Sequence, residues 1–264
     1  MDLTNVYIGF ALATFAGLST GIGSLLGLYS KFENKRLLSL ALGFSAGVMI
    51  YVSFMELLLL SFESLVGLYG HTYGQLIGVT AFIAGLLMML FIDQLFDHHS
   101  IADFISRSSN KDESLLVRTG LFSAIALAIH NFPEGFATFT AAVYDPTVGV
   151  TLATAIAIHN IPEGLAVSVP IYYATKNKAK AFWISFASGL AEPLGALVGF
   201  LIFRTVYNEA LFGVSFALCA GIMIYVSLNE LLPVAKEYGK PSDPIIGVTA
   251  GIIVMAISLI LMYA

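Results

Sequence analysis

Long apolar stretches follow one another along the chain, separated by short polar segments. A helix needs about 20 mainly apolar residues to cross a bilayer. Eight stretches of this kind are predicted, at about 5–29, 37–62, 73–96, 118–143, 147–173, 179–205, 211–235 and 245–263. A membrane β-barrel is excluded, because its strands are short and alternate apolar with polar residues. The pattern therefore predicts an all-α integral membrane protein with eight transmembrane helices.

The amino-acid composition supports the same class of protein. Only 11% of the 264 residues are charged and 58% are hydrophobic, whereas a soluble domain has about 25% charged residues. These values exclude a soluble enzyme, a disordered protein and a nucleic-acid-binding protein, which needs a basic surface. Cys219 is the only cysteine, which excludes an intrachain disulfide and a thiolate metal cluster.

The basic residues indicate how the chain is oriented. All but one of the 12 Lys and Arg residues fall in loops that eight spans place on one side of the membrane. These are Lys31, Lys35, Arg36, Arg107, Lys111, Arg118, Lys176, Lys178, Lys180, Lys236 and Lys240. Only Arg204 lies on the other side. Basic residues favour the cytoplasm, so both termini are predicted outside the cytoplasm of a cell membrane, with a cytoplasmic loop at about 97–117.

The sequences of the first three predicted spans are similar to those of the last three. Ala46–Leu58 reads AGVMIYVSFMELL and Ala220–Leu232 reads AGIMIYVSLNELL, while Ile77–Ala81 and Ile246–Ala250 are both IGVTA. Spans one and six share a weaker glycine pattern, with Gly17, Gly23 and Gly27 in one and Gly189, Gly195 and Gly199 in the other. The copies are five spans apart, so the second copy crosses the membrane in the opposite sense.

The two central spans form a second related pair. Ala126–Ala137 reads ALAIHNFPEGFA and Ala155–Ala166 reads AIAIHNIPEGLA. We therefore predict one transporter domain, residues 1–264, in a 3+2+3 arrangement. Its inverted repeats, about 5–96 and 179–263, flank the helix pair 118–173. Inverted repeats are typical of alternating-access transporters, whose substrate site lies near the bilayer midplane. The alternative is a gene duplication without a role in transport.

The central pair carries ionisable side chains that are costly inside a membrane. In each span a His and a Glu are four residues apart and share a helix face, and an Asn follows each His. The candidate ligands are His130, Asn131, Glu134, His159, Asn160 and Glu163. Imidazoles, carboxylates and amide oxygens without an intervening Lys or Arg favour a divalent cation. The alternative is that His and Asn only hydrogen-bond the helices together.

Three further carboxylates lie within predicted spans. Glu192 is central in span six and is expected to complete the site, the alternative being a buried hydrogen bond to Ser or Asn. Glu56 lies in the outer half of span two and Glu230 in the inner half of span seven, each two turns after a methionine, Met49 or Met223. We interpret these as entry and exit groups flanking the central site, although for either methionine alone ordinary packing is the better explanation.

The end of span three and the following loop carry another polar group. It consists of Asp93, Asp97, His98 and His99. These side chains are of the kind that could receive a released ion, and a solvated loop with chance histidines explains them equally well.

In these residues the chain resembles the ZIP family of divalent-metal transporters, particularly its bacterial zinc-uptake branch. The resemblance rests on HNFPEGFATF at 130–139 and HNIPEGLAVSVP at 159–170, within a full-length match. It implies metal uptake into the cytoplasm by spans four and five moving with one and six. The loop after span three departs from many members, because its only histidines are His98 and His99.

The resemblance also implies a binuclear site on spans four to six. His130, Glu134, His159 and Glu163 would form one metal position, and Asn131, Asn160 and Glu192 would form its neighbour by sharing Glu134 and Glu163. The family's ligand positions in span two correspond to Met49 and Glu56.

The sequence thus predicts a transporter for Zn²⁺ and related ions such as Fe²⁺, Mn²⁺, Co²⁺ and Cd²⁺, and not an enzyme. A His/Asn/Glu shell with no cysteine nearby predicts broad selectivity. The metal is substrate rather than catalyst, and the partners are these ions and the lipid bilayer, with no nucleic acid.

Three alternatives or extensions stay open. A zinc-dependent intramembrane hydrolase would need a general base as in HExxH, but Asn follows each His here. A passive metal channel could share the same symmetry. A homodimer is a further expectation, because Gly17, Gly21, Gly23 and Gly27 allow tight helix packing within or between chains.

Overall fold

The computed structural model describes residues 2–29, 35–95, 111–206 and 208–263, in which every regular element is helical. The simple helices are α1 (Leu3–Tyr29), α3 (His71–Leu95), α4 (Lys111–Tyr144), α5 (Pro146–Thr175) and α8 (Asp243–Tyr263). The others are composite: α2 joins Lys35–Val52 to Leu58–Tyr69, α6 joins Lys178–Gly189 to Ala191–Thr205, and α7 joins Glu209–Val226 to Leu232–Tyr238. Lys31, Asp97, His98, His99 and Arg107 lie outside the described residues.

The interruptions of α2 and α7 are π-helical turns at the same place in the repeated sequence. Ser53–Leu57 forms the turn in α2 and Ser227–Leu231 forms the turn in α7. In both, the serine hydroxyl donates to the carbonyl four residues earlier, that of Met49 or Met223, at 2.7 Å. Turns of this type are frequent at functional sites, and the sequence pattern did not predict them.

The interruption of α6 lies at Leu190, two residues before Glu192. The Leu190 N–H donates to the carbonyl of Ala187 at 3.2 Å in a tightened turn. Pro193 has no N–H to give to the carbonyl of Gly189 four residues back, which weakens the helix at this point. The predicted single span 179–205 is therefore two helical segments that meet beside the candidate site.

Glycines bring the helices together backbone to backbone, and a Cβ at these positions would overlap a neighbouring carbonyl. The contacts are Gly23 of α1 on Ile161, Gly195 of α6 on Phe132, Gly47 of α2 on Val248, and Gly221 of α7 on Phe82. The glycines of α1, which the sequence allowed to pack either within or between chains, pack against helices of the same chain. Helices α1, α4, α5 and α6 thus form an inner bundle, flanked by the pairs α2–α8 and α3–α7.

Seven helices in the described part of the chain are long and apolar enough to cross a membrane. The predicted eighth, 118–143, corresponds to α4, which is not among the seven. Its polar residues His130, Asn131 and Glu134 lower its hydropathy although it has 34 residues. Apolar side chains on α3 and α8 are widely exposed, as Tyr73 and Leu261 illustrate, which suits a lipid environment. The protein is therefore a multi-pass membrane protein.

Aromatic side chains fill the bundle near the ends of α4 and α6 and the start of α7. Phe203 and Phe212 stack with ring centroids 4.5 Å apart, and Tyr144 packs on Phe212 at 5.5 Å. Phe139 and Phe216 are completely buried beside them. This end of the bundle is consequently closed by close-packed rings.

Candidate metal site

The seven polar side chains predicted on spans four to six lie together in the interior, each at most 2% exposed. Helix α5 begins directly after α4, because the Asp145 side chain accepts from the Thr147 N–H and Pro146 occupies the first turn. The two motif helices are therefore antiparallel neighbours. Gly135 lies against the carbonyl of Glu192, and this close approach brings α6 to the cluster.

The histidines and glutamates pair across the two motifs. His130 Nε2 lies 3.3 Å from Glu163 Oε2, and His159 Nε2 lies 3.3 Å from Glu134 Oε1. Each histidine thus contacts the glutamate of the other helix and not the one four residues along its own. The helical spacing predicted a shared face but could not predict this crossed pairing.

Backbone carbonyls fix the orientation of the two asparagines. Asn160 Nδ2 donates to the carbonyl of Ala16 at 2.9 Å and also to Glu192. Asn131 Nδ2 donates to the carbonyl of Ser188 at 3.4 Å. Because a carbonyl can only accept, each NH₂ group must face it, and each Oδ1 turns the other way.

Many lone pairs of the cluster are left without a hydrogen-bond partner. The atoms without a hydrogen-bond partner are His130 Nδ1, Asn131 Oδ1, both oxygens of Glu134, both ring nitrogens of His159, Asn160 Oδ1 and Glu192 Oε2. Of these, His159 Nε2 and Glu134 Oε1 still lie in the 3.3 Å ion-pair contact described above. Leaving buried polar atoms unpaired is costly. Nitrogen and oxygen donors of this kind suit a divalent cation such as zinc.

The histidines and glutamates among the candidate ligands contact each other in two pairs and do not converge on one point. Among the described residues, no three His, Cys, Asp or Glu side chains are grouped so as to hold a metal ion. A cation entering the cluster would therefore have to replace the two His–Glu contacts.

Three neighbours of the cluster were missed or misjudged from the sequence. Ser45 of α2 donates to Glu163 Oε1 at 2.9 Å; it directly precedes the repeated AGVMIY segment, which is the only signal that could have identified it. Glu230 Oε2 lies 3.9 Å from His130 Nδ1. The expectation that no cysteine is nearby is wrong, because the buried Cys219 thiol donates to the carbonyl of Pro133, next to Glu134, at 3.5 Å.

The two predicted ligands on α2 lie beyond Ser45. Met49, one turn further, is completely buried among the apolar core residues. Glu56 lies in the π-helical turn, about three helical turns from Ser45, and is 5% exposed. The structure therefore brings together the α4, α5 and α6 residues and places Met49 and Glu56 along the flanking helix.

Fold and site together define a multi-pass membrane protein with a buried nitrogen and oxygen cluster suited to a divalent cation. Residues 98–259 match the ZIP zinc transporter family, and the chain belongs to this family. ZIP proteins are transporters and not enzymes.

Curated relatives match almost the whole chain. Zinc transporter ZupT of Chlorobium chlorochromatii is 52% identical, over 97% of this chain and 98% of its own length. Zinc transporter ZupT of Oceanobacillus iheyensis is 47% identical, over 98% and 100%. Zinc transporter ZupT of Streptococcus mutans is 48% identical, over 97% and 98%.

Proposed function

We propose that the protein carries Zn²⁺, and related ions such as Fe²⁺, Mn²⁺, Co²⁺ and Cd²⁺, across the membrane into the cytoplasm. The observation that carries this proposal is the buried cluster of unpaired nitrogen and oxygen lone pairs on α4, α5 and α6. Full-length relatives named as zinc transporters support zinc as the main ion.

The site holds the ions in two adjacent positions. His130, Glu134, His159 and Glu163 form one position once the ion replaces the two His–Glu contacts. Asn131, Asn160 and Glu192 form the neighbour, sharing Glu134 and Glu163. The unpaired Oδ1 atoms of the asparagines and Glu192 Oε2 support an oxygen-rich second position.

The chain crosses the membrane eight times, with α4 as the span that carries most polar residues, and α1–α3 and α6–α8 are inverted copies. Equivalent contacts in the two copies support this arrangement. Asn160 donates to Ala16 of α1, and Asn131 donates to Ser188 of α6. Gly17 and Gly189, which the repeat makes equivalent, lie against each other's carbonyl.

The ions leave towards the cytoplasm past Glu230 and enter past Met49 and Glu56. In the orientation given by the basic loops, Glu230 lies on the inner side, where it is 18% exposed and 3.9 Å from His130. The packed rings of Phe203 and Phe212 lie on the outer side. This contrast supports a state that faces the cytoplasm, with the outer route closed.

The test is uptake of a panel of divalent ions into proteoliposomes, with pH and voltage varied to reveal coupling. Glu134→Ala and His159→Ala are each expected to abolish zinc uptake, because each removes a ligand and leaves its partner buried and unpaired. Glu63→Ala, which removes an exposed carboxylate from α2, should leave uptake unchanged. Wild-type uptake by either site variant would disprove the pathway.

A carrier and a passive channel are separated by further measurements. A carrier predicts saturable uptake and crosslinks that trap inward-facing and outward-facing states. The homodimer stays a prediction; several helices, α1, α3 and α8 among them, expose apolar side chains.

A further inference from the structure

The two site glutamates occupy equivalent places in the repeated motif but have different neighbours. Glu163 accepts a hydrogen bond from the Ser45 hydroxyl at 2.9 Å. Both oxygens of Glu134 are buried without a hydrogen-bond partner. The Glu163 carboxylate is thus held by a hydroxyl donor as well as by His130, whereas the Glu134 carboxylate has only the contact of its Oε1 with His159.

The repeat identifies the residue equivalent to Ser45. Ser45 directly precedes AGVMIY in α2, and Cys219 directly precedes AGIMIY in α7. Ser45 contacts α5 at the motif glutamate, and Cys219 contacts α4 at Pro133, one residue before the motif glutamate. The two side chains, one on each flanking helix, therefore lie beside the motif glutamates of the two central helices.

We propose that Cys219 is a positioning residue for Glu134, whose thiol turns from the Pro133 carbonyl to the Glu134 carboxylate in the outward-facing state. The thiol then donates a hydrogen bond to Glu134, as the Ser45 hydroxyl donates to Glu163 in the present state. This inference rests on the proposed transport function and on the inverted repeat. A thiol is a weaker donor than a hydroxyl, so Glu134 is held less firmly than Glu163.

An open groove next to Cys219 runs along α4. It has a volume of about 680 Å³ and lies between α3, α4, α6 and α7, with Cys219, Pro133, Phe132, Met88 and Val198 in its walls. Its walls are almost wholly apolar, so water competes little for a thiol–carboxylate hydrogen bond formed at its edge.

The experiment compares zinc affinity at the two membrane faces, using wild type, Cys219→Ala, Cys219→Ser and Ser45→Ala in oriented proteoliposomes. The quantity is the ratio of the half-saturating zinc concentration at the outer face to that at the cytoplasmic face. Cys219→Ala is expected to raise this ratio about twofold, the lower end of the effect of one hydrogen bond, because a thiol is a weak donor. Ser45→Ala is expected to lower the ratio about fivefold, and Cys219→Ser to give the wild-type ratio or a lower one.

The controls separate positioning from packing and from transport itself. Ser61→Ala removes a buried α2 hydroxyl that has no hydrogen-bond partner and should leave the ratio unchanged. An unchanged ratio in Cys219→Ala, or equal shifts in Cys219→Ala and Cys219→Ser, would overturn the inference while uptake by wild type continued. Absence of zinc uptake by the wild type would instead disprove the proposed function.

Discussion

The site has two halves with the same kind of close glycine–backbone contact between helices but with different side chains. In one half α5 packs on α1, with Gly164 against the carbonyl of Thr20; in the other α4 packs on α6, with Gly135 against the carbonyl of Glu192. The proposed repeat makes Thr20 and Glu192 equivalent, yet one is a hydroxyl and the other a carboxylate. The close backbone contacts are present in both halves, whereas the side-chain chemistry beside the candidate site differs between them.

For the proposed carrier this difference separates two requirements. Equivalent backbone contacts would let the two halves exchange conformations, which alternating access needs. Unequal side chains would give the ion a defined set of ligands. The Thr20 hydroxyl is buried and unpaired, so the first half also presents an oxygen to the interior, but an uncharged one.

The largest effect is expected from removing the chemical difference with Glu192→Thr. The neighbouring metal position loses its own carboxylate, so zinc bound per protein should fall from two to one. Zinc affinity should fall about tenfold or more, as expected for losing a charged partner. Elemental analysis and calorimetry measure the two quantities. Thr20→Ser keeps the hydroxyl and is the matched control, and two bound zinc ions in Glu192→Thr would contradict the binuclear site.

A smaller effect, on the free energy of unfolding, is expected from disturbing the close glycine–backbone contacts present in both halves. Gly135→Ala and Gly164→Ala each force a methyl group into a carbonyl of the facing helix. Each should destabilise the protein by about 1–3 kcal/mol, the usual cost of overpacking, and by similar amounts if the halves are equivalent. Thermal unfolding in detergent is the measurement. Gly67→Ala, where a Cβ meets no atom within 4 Å, serves as the control.

The smallest effect is expected at a contact present in only one copy. Arg36 Nε lies 3.1 Å from Asp243 Oδ1 at the starts of α2 and α8, and the equivalent positions in α7 and α3 are Ala210 and Gly74. The Arg36 side chain is 57% exposed, but the Asp243 carboxylate is fully buried and has the Lys240 N–H as a second donor. Arg36→Gln should therefore cost about 1 kcal/mol, more than an exposed ion pair and less than a wholly buried one. The free energy of unfolding, measured at low and high salt, tests this expectation. A decrease in that free energy above about 2 kcal/mol would show that this ion pair is a main stabilising contact between α2 and α8.

The sequence predicted the features that depend on periodicity and repetition. The helices lie close to the predicted spans, and the spacing of His, Asn and Glu placed the α4 and α5 motifs on buried faces. Glu192 joined them because a carboxylate in an apolar span is costly unless it faces a polar interior.

Features that depend on how helices are rotated against each other could not be predicted. The crossed pairing of His130 with Glu163 requires the antiparallel contact of α4 and α5. The proximity of Cys219 to Pro133 joins residues 86 positions apart and depends on the rotation of α7. The break at Leu190 follows from Pro193, but proline is tolerated inside α4 at Pro133, so its presence alone did not decide the outcome.

The π-helical turns in α2 and α7 have a consequence for insertions and deletions. A π-helical turn closes its hydrogen bonds over one residue more than an α-helical turn. Deleting one residue at Ser227–Leu231 would restore an ordinary α-helix, and the segments on either side would keep nearly the same relative rotation, because the turn already holds one extra residue. Only the side chains of the turn itself, Glu230 among them, would change direction. A one-residue deletion in the α-helical part of α2 or α7 would instead rotate the whole following segment by about 100°. These two turns are therefore the places where the helices can lose a residue without changing the orientation of their ends.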